Sequence, residues 1–191
     1  MVVLIQVRRF IWLAPWAVLV LSFVMAFPSK GRAAGSHLYV MLGLGGMSPG
    51  LSDFGARIGH RGIPTTVGSY LEWPAFADEA IRNYKNGRVR SIMIVGHSLG
   101  GSAARAMAAE LAEANVPVRL LITLDPVGAS GVSRNVRHEV NIMPGTGEDH
   151  FSMIDAHRAE LDGYVLGGHV PHPARAREKA PENNFGYGSN Y

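Results

Sequence analysis

The segment from Ser91 to Leu111, SIMIVGHSLGGSAARAMAAEL, constrains the fold more than any other stretch of the chain. A continuous apolar run ends abruptly in Gly96-His97-Ser98-Leu99-Gly100-Gly101 and passes at once into an alanine-rich run. Four to six apolar residues bounded by glycine suit a strand buried on both faces, and an Ala-rich run with a stripe at Ala104, Met107, Ala108 and Leu111 suits a helix packed on it. The join must be a sharp turn. A serine there takes strained backbone angles, and its neighbours two positions away must be small so that strand and helix can pass closely. Its hydroxyl is then lifted above the sheet, beside the free amides of the helix start. Gly-x-Ser-x-Gly in this context points to Ser98 as a nucleophile. His97 lies inside the motif, but its side chain should leave the strand on the face opposite Ser98, so it reads as a structural hydrogen-bonding residue. The bland reading of Ser98 is a helix cap.

The same alternation of strand and helix runs through the chain from residue 37. His37–Leu42, Ile63–Tyr70, Ser91–Val95, Val118–Leu124 and Val136–Met143 read as strands. Residues 50–60, 75–86 and 99–114 read as helices, with residues 151–166 as a further helix. This rhythm predicts parallel βαβ units with right-handed crossovers and helices on both faces of the sheet. The fold class is therefore α/β, a three-layer α/β/α sandwich around a mostly parallel sheet of about five strands. Ligands in such sheets bind beyond the carboxyl ends of the strands. The 23 glycines fit a fold with many tight strand-to-helix turns.

Gly96–Gly101 resembles the nucleophile elbow of α/β-hydrolase-fold lipases, esterases and thioesterases, and the resemblance spans roughly residues 37–157. Leu42-Gly43-Leu44-Gly45-Gly46 is similar to the His-Gly-Leu-Gly-Gly loop of such lipases, with Leu42 where they carry histidine. The resemblance implies the backbone amides of Leu44 and Leu99 as the oxyanion hole. The glycines lack the spacing of a dinucleotide site and the lysine of a phosphate loop. Asp125-Pro126 follows the strand Val118–Leu124, as the Leu-Asp-Pro segment of neutral lipases does, and implies Asp125 as the acid; the bland reading is an Asp that opens a turn. The order nucleophile, acid, histidine matches this fold. Among histidines 138, 150, 157, 169 and 172, His150 lies on a loop before an apolar helix start and is the expected base, with His157 the alternative. Asp149, His150, Asp155 and His157 could instead be metal ligands, but they lack the spacing of paired histidines one helical turn apart. No cofactor and no metal are expected. The short span from Asp125 to His150 leaves little room for a lid, which predicts an open site in a minimal α/β-hydrolase fold.

Residues 10–27 are uncharged and follow Arg8 and Arg9. They read as an export signal or a membrane anchor, with a possible cleavage point after Ala33. A buried core helix is the bland reading. The expected domains are 1–33 as leader or anchor, 34–170 as the catalytic domain, and 171–191 as a Pro-, Asn- and Gly-rich mobile tail. Arg8, Arg9, Lys30 and Arg32 carry the basic excess; the remainder is nearly balanced in charge, without the basic patch that nucleic acid needs. The expected location is outside the cytoplasm or on the membrane, with membrane contact through residues 10–27 if they are retained. The absence of cysteine excludes disulfides, thiolate metal sites and a cysteine nucleophile. The resulting expectation is a serine hydrolase of small-molecule or lipid esters or thioesters. The alternatives are an acyltransferase using the same residues, or a membrane-tethered binding protein that keeps the fold without the chemistry.

Overall fold

The computed structural model describes residues 35–128, 131 and 133–167. The chain divides into two units, Met1–Ala33 and Ala34–Tyr191. The leader or anchor expected at 1–33 and the tail expected at 171–191 lie outside the described residues. Among the described residues no helix is long and apolar enough to cross a membrane.

Five strands form one sheet: β1 (Gly35–Leu42), β2 (Thr65–Ser69), β3 (Val89–His97), β4 (Val118–Leu124) and β5 (Glu139–Ile142). Their order is β2-β1-β3-β4-β5. Every pairing is parallel. The sheet is crossed by α1 (Leu51–His60), α2 (Trp73–Lys85) and α3 (Leu99–Glu113), with α4 (Met153–Ala156) and α5 (Arg158–Leu166) after β5. β3 and β4 are near-continuous apolar runs because parallel strands are buried on both faces.

Alternation along the strands divides the core in two. Leu38 and Val40 of β1, Met93 and Val95 of β3, and Leu120 and Ile122 of β4 pack with Phe54 and Ile58 of α1, Met153 and Ile154 of α4, and Leu161 and Val165 of α5. Tyr39, Met41, Ile92, Ile94 and Leu121 point the other way, onto Phe76 and Ala80 of α2 and the stripe Ala104, Met107, Ala108 and Leu111 of α3. Arg57 Nη2 donates to Asp162 Oδ1 at 3.0 Å, tying α1 to α5 across the first layer. The alanines of α3 let that helix lie close to the sheet, so it crosses the middle of the second layer.

Two expected elements differ in detail. Val136–Met143 reads as one strand, but β5 covers only Glu139–Ile142, and Val136 joins Val118 through an isolated bridge. Residues 151–166 read as one helix, but the helix is interrupted at His157. The apolar positions 153, 154, 161 and 165 stay in phase across the break, so hydrophobic spacing does not register it. The His157 ring is engaged instead by Glu160 and by Glu148 from the preceding loop.

β1 leads to β2 on one side and β3 lies on its other side. The β1/β3 junction is therefore the point where the strand order reverses, and the crevice outside the carboxyl ends of the strands opens there. The loops after β1 and β3 carry the two glycine-rich motifs.

Candidate active site

Ser98 occupies a left-handed backbone conformation, φ 58° and ψ −124°, between β3 and α3. Backbone hydrogen bonds on both sides of Ser98 fix this turn. Ser98 N donates to Leu124 O at 2.9 Å, continuing the β3–β4 register one residue past the strand. Gly101 N and Val127 N donate to Ser98 O at 2.9 and 3.3 Å. The flanking glycines are required by close approach rather than by dihedral angle. A β-carbon on Gly96 would run into the Gly100 backbone, and one on Gly100 would run into the carbonyl of Met41. One on Gly101 would come within 2.8 Å of Pro126 Cβ.

Asp125 is the first residue past β4 and also has positive φ, at 40°. Asp is among the few non-glycine residues that tolerate this region. Its amide donates to Ile142 O at 2.8 Å, which seats it at the end of β5 as well. Asp125 Oδ2 lies 2.6 Å from His150 Nδ1, a charge-assisted hydrogen bond in a half-buried setting. The loop carrying His150 is shaped by Asp149, whose Oδ1 accepts the amides of Phe151 and Ser152 at 2.8 Å each. The amides of Ser152 and Phe151 hold the Asp149 carboxyl below the usual carboxylate range. This Asx turn presents His150 from a fixed backbone.

The loop after β1 starts at Gly43 and makes a short 3-10 turn, Leu44–Gly46. Gly43 lies against the elbow: a β-carbon there would sit 3.2 Å from Ser98 Cβ. Leu44 and Leu99 are the first residues of their helical turns, where amides have no acceptor within the helix. His97 is fully buried. Its Nδ1 lies 2.9 Å from Ser48 Oγ, and its Nε2 lies 2.7 Å from the carbonyl oxygen of His150. Burial pushes the His97 pKa below its ordinary value, opposed in part by its hydrogen bond to the His150 carbonyl. Its ring packs against His150, with 4.4 Å between centroids.

The expected residues are thus brought together unequally. Asp125 and His150 are hydrogen-bonded, and Ser98 abuts the Gly43 loop. No hydrogen bond joins Ser98 to His150 among the described residues, and the His150 ring bonds to Asp125. His157 has other partners: its Nδ1 lies 2.7 Å from Glu160 Oε2 and its Nε2 3.3 Å from Glu148 Oε2. Asp155 pairs with Arg158 at 2.8 Å. Among the described residues no three metal-ligating side chains converge. Ser48 had no signal in the sequence; a serine before proline in a glycine-rich loop looks like ordinary turn chemistry.

Among the described residues, most of the large exposed apolar side chains sit at the carboxyl end of the sheet. Leu44 and Met47 follow β1, Leu71 follows β2, Val127 follows β4, Met143 follows β5, and Phe151 is next to His150. An open cleft of about 560 Å³ runs beside the loop after β1, lined by Met47, Ser48, Pro49, Asp53 and Phe151 among others.

A family model described as a PGAP1-like alpha/beta domain matches residues 63–148. No curated protein matches the chain significantly. Among solved structures, an acetylxylan esterase is similar over 71% of this chain and 98% of its own, at 12% identity and a TM-score of 0.48. The family match takes in the elbow, β4 and Asp125, and stops two residues short of His150. With an all-parallel five-stranded sheet between two helical layers, Ser98 on the sharp turn after the third strand and Asp125 after the fourth, the chain has an α/β fold whose middle part is similar to the hydrolase-like PGAP1-like alpha/beta domain.

Proposed function

We propose that this protein is a serine hydrolase that cleaves carboxylic ester or thioester bonds through an acyl-enzyme. The observation that carries the reading is the placement of Ser98, on a left-handed elbow at the β1/β3 switch point, with a hydrogen-bonded His150–Asp125 pair on the adjoining strand ends. In this reading His150 Nδ1–H donates to Asp125, which selects the tautomer whose Nε2 can accept a proton. Nε2 takes the Ser98 proton as Oγ bonds to the carbonyl carbon, and the π electrons move onto the carbonyl oxygen. The amides of Leu44 and Leu99 hold that oxyanion. Collapse expels the alcohol or thiol, which leaves with the proton from His150. Water then adds to the acyl carbon, gives a proton to His150, and Ser98 departs with that proton as the acid is released. The apolar rim and the cleft beside Phe151 favour a substrate with an apolar acyl or alcohol part.

An acyltransferase would differ only in the acceptor, an alcohol or amine in place of water. A membrane tether through residues 10–27, outside the cytoplasm, belongs to the same proposal and rests on the apolar run behind Arg8 and Arg9. The test is labelling by a fluorophosphonate probe together with an ester panel of varied chain length. Wild type should be labelled and hydrolytic, and Ser98→Ala should lose both. Labelling that survives in Ser98→Ala would sink the assignment of the nucleophile, and wild type that takes no label would favour the reading of a binding protein.

A further inference from the structure

A buried hydrogen-bonded chain connects the loop after β1 with the loop that carries His150. Gly43 N lies 2.8 Å from Ser48 Oγ, Ser48 Oγ 2.9 Å from His97 Nδ1, and His97 Nε2 2.7 Å from His150 O. Both interior members are closed to solvent, His97 fully and Ser48 at 4% exposure. The two ends have fixed polarity, since a backbone amide only donates and a carbonyl oxygen only accepts. With a neutral imidazole between them, every proton is therefore assigned. Gly43 N–H donates to Ser48 Oγ, Ser48 O–H donates to His97 Nδ1, and His97 Nε2–H donates to His150 O. A doubly protonated imidazole would make Ser48 Oγ accept from both Gly43 N–H and Nδ1–H and would leave the Ser48 proton without its acceptor.

We propose that His97, held as the neutral Nε2–H tautomer, is a positioning residue that sets the spacing between the oxyanion loop at Gly43–Leu44 and the backbone of His150. The proposal rests on the serine-hydrolase reading above. His97 is suited to the task because it belongs to β3, paired at His97–Leu124 in the middle of the sheet, and so cannot drift with either loop. Gly43 packs against Ser98, so a displaced Gly43 loop carries the Leu44 amide away from the carbon that Ser98 attacks. The other end of the chain holds the backbone of the residue whose side chain meets Asp125. Errors of about an ångström at such groups are costly to catalysis. His150 and Asp125 are the titratable groups facing the His97 ring; burial, with the His150 charge acting the same way, outweighs the opposing pull of Asp125 and keeps the ring neutral.

The test uses the full-length protein with 15N-labelled histidine, together with ester kinetics on Ser48→Ala, His97→Phe and His97→Gln. The ring nitrogens of His97 should show Nε2 protonated and Nδ1 bare at neutral pH. His97→Phe keeps a ring but no hydrogen bonds, and kcat should fall roughly 100-fold with KM nearly unchanged. His97→Gln keeps a donor toward His150 O and should recover about tenfold of that loss. Ser48→Ala should cost about tenfold, and adding it to His97→Phe should cost nothing more, because the chain is already broken. A role in packing alone predicts the reverse order, with phenylalanine better than glutamine. An Nδ1–H or charged His97, or wild-type kcat in His97→Phe or Ser48→Ala, overturns the relay. If His97→Phe does not fold, Ser48→Ala and the tautomer still decide. Wild type that takes no fluorophosphonate label refutes the hydrolase reading and the relay's catalytic role with it; labelled wild type beside unaffected variants refutes the relay alone.

Discussion

Glycine at position 98 should make the protein more stable than alanine does, the opposite of the usual order inside or beside a helix. Both replacements remove the hydroxyl, so their difference isolates the backbone. Ser98 has φ 58° and ψ −124°, a region that L side chains rarely adopt. Holding a residue with a β-carbon there costs on the order of 1–3 kcal/mol, and alanine keeps that cost while glycine removes it. Against this, glycine adds freedom to the unfolded chain, worth about 0.4–1 kcal/mol. The lost packing of one carbon beside Gly43 removes less than about 0.8 kcal/mol more. The balance is near 1 kcal/mol in favour of Ser98→Gly, which for a domain of this size is roughly 3–6 °C in Tm. Urea titration and calorimetry of the two variants measure it directly. Ser98→Gly equal to or less stable than Ser98→Ala would refute the argument that the elbow stores strain, whatever the protein's activity.

Asp125→Asn and His150→Ala should each lower ester turnover by about 10³-fold or more, while His157→Ala should leave it within about twofold; fluorophosphonate labelling rates check all three. Gly100→Ala should destabilise by about 3 kcal/mol or prevent folding, because its β-carbon meets the rigid carbonyl of Met41; the urea midpoint reads this. The fold should also weaken in acid. Burial lowers the His97 pKa in the folded state below its ordinary 6.5, so the unfolded chain binds the extra proton first. The stability that neutral His97 provides is present above about pH 6.5 and is lost as pH falls below it, by at most about 1.4 kcal/mol per pH unit. His37, whose pKa burial also lowers, acts in the same direction. Urea midpoints between pH 7.5 and 5 that do not fall would contradict this assignment.

The sequence by itself determined the layers and the setting of Ser98. Apolar runs such as Ser91–Val95 and Val118–Leu124, separated by helical stripes, admit little besides a buried parallel sheet, because period and length are local properties of the chain. The glycines at 96, 100 and 101 were legible for the same reason, since a sharp strand-to-helix turn allows nothing larger. Asp125 could be placed at a strand end from its position alone. Only the tertiary structure decided which histidine meets it. His150 and His157 both lie on polar stretches after the last strand, and seven residues of spacing carry no information about which turns toward Asp125. The Asx turn at Asp149 and the carboxylates around His157 settle their partners by packing. The interruption of the helix at His157 and the role of Ser48 were hidden in the same way. A hydrogen bond between positions 49 residues apart, as from Ser48 to His97, leaves no periodic trace in sequence and exists only once β1 and β3 lie side by side.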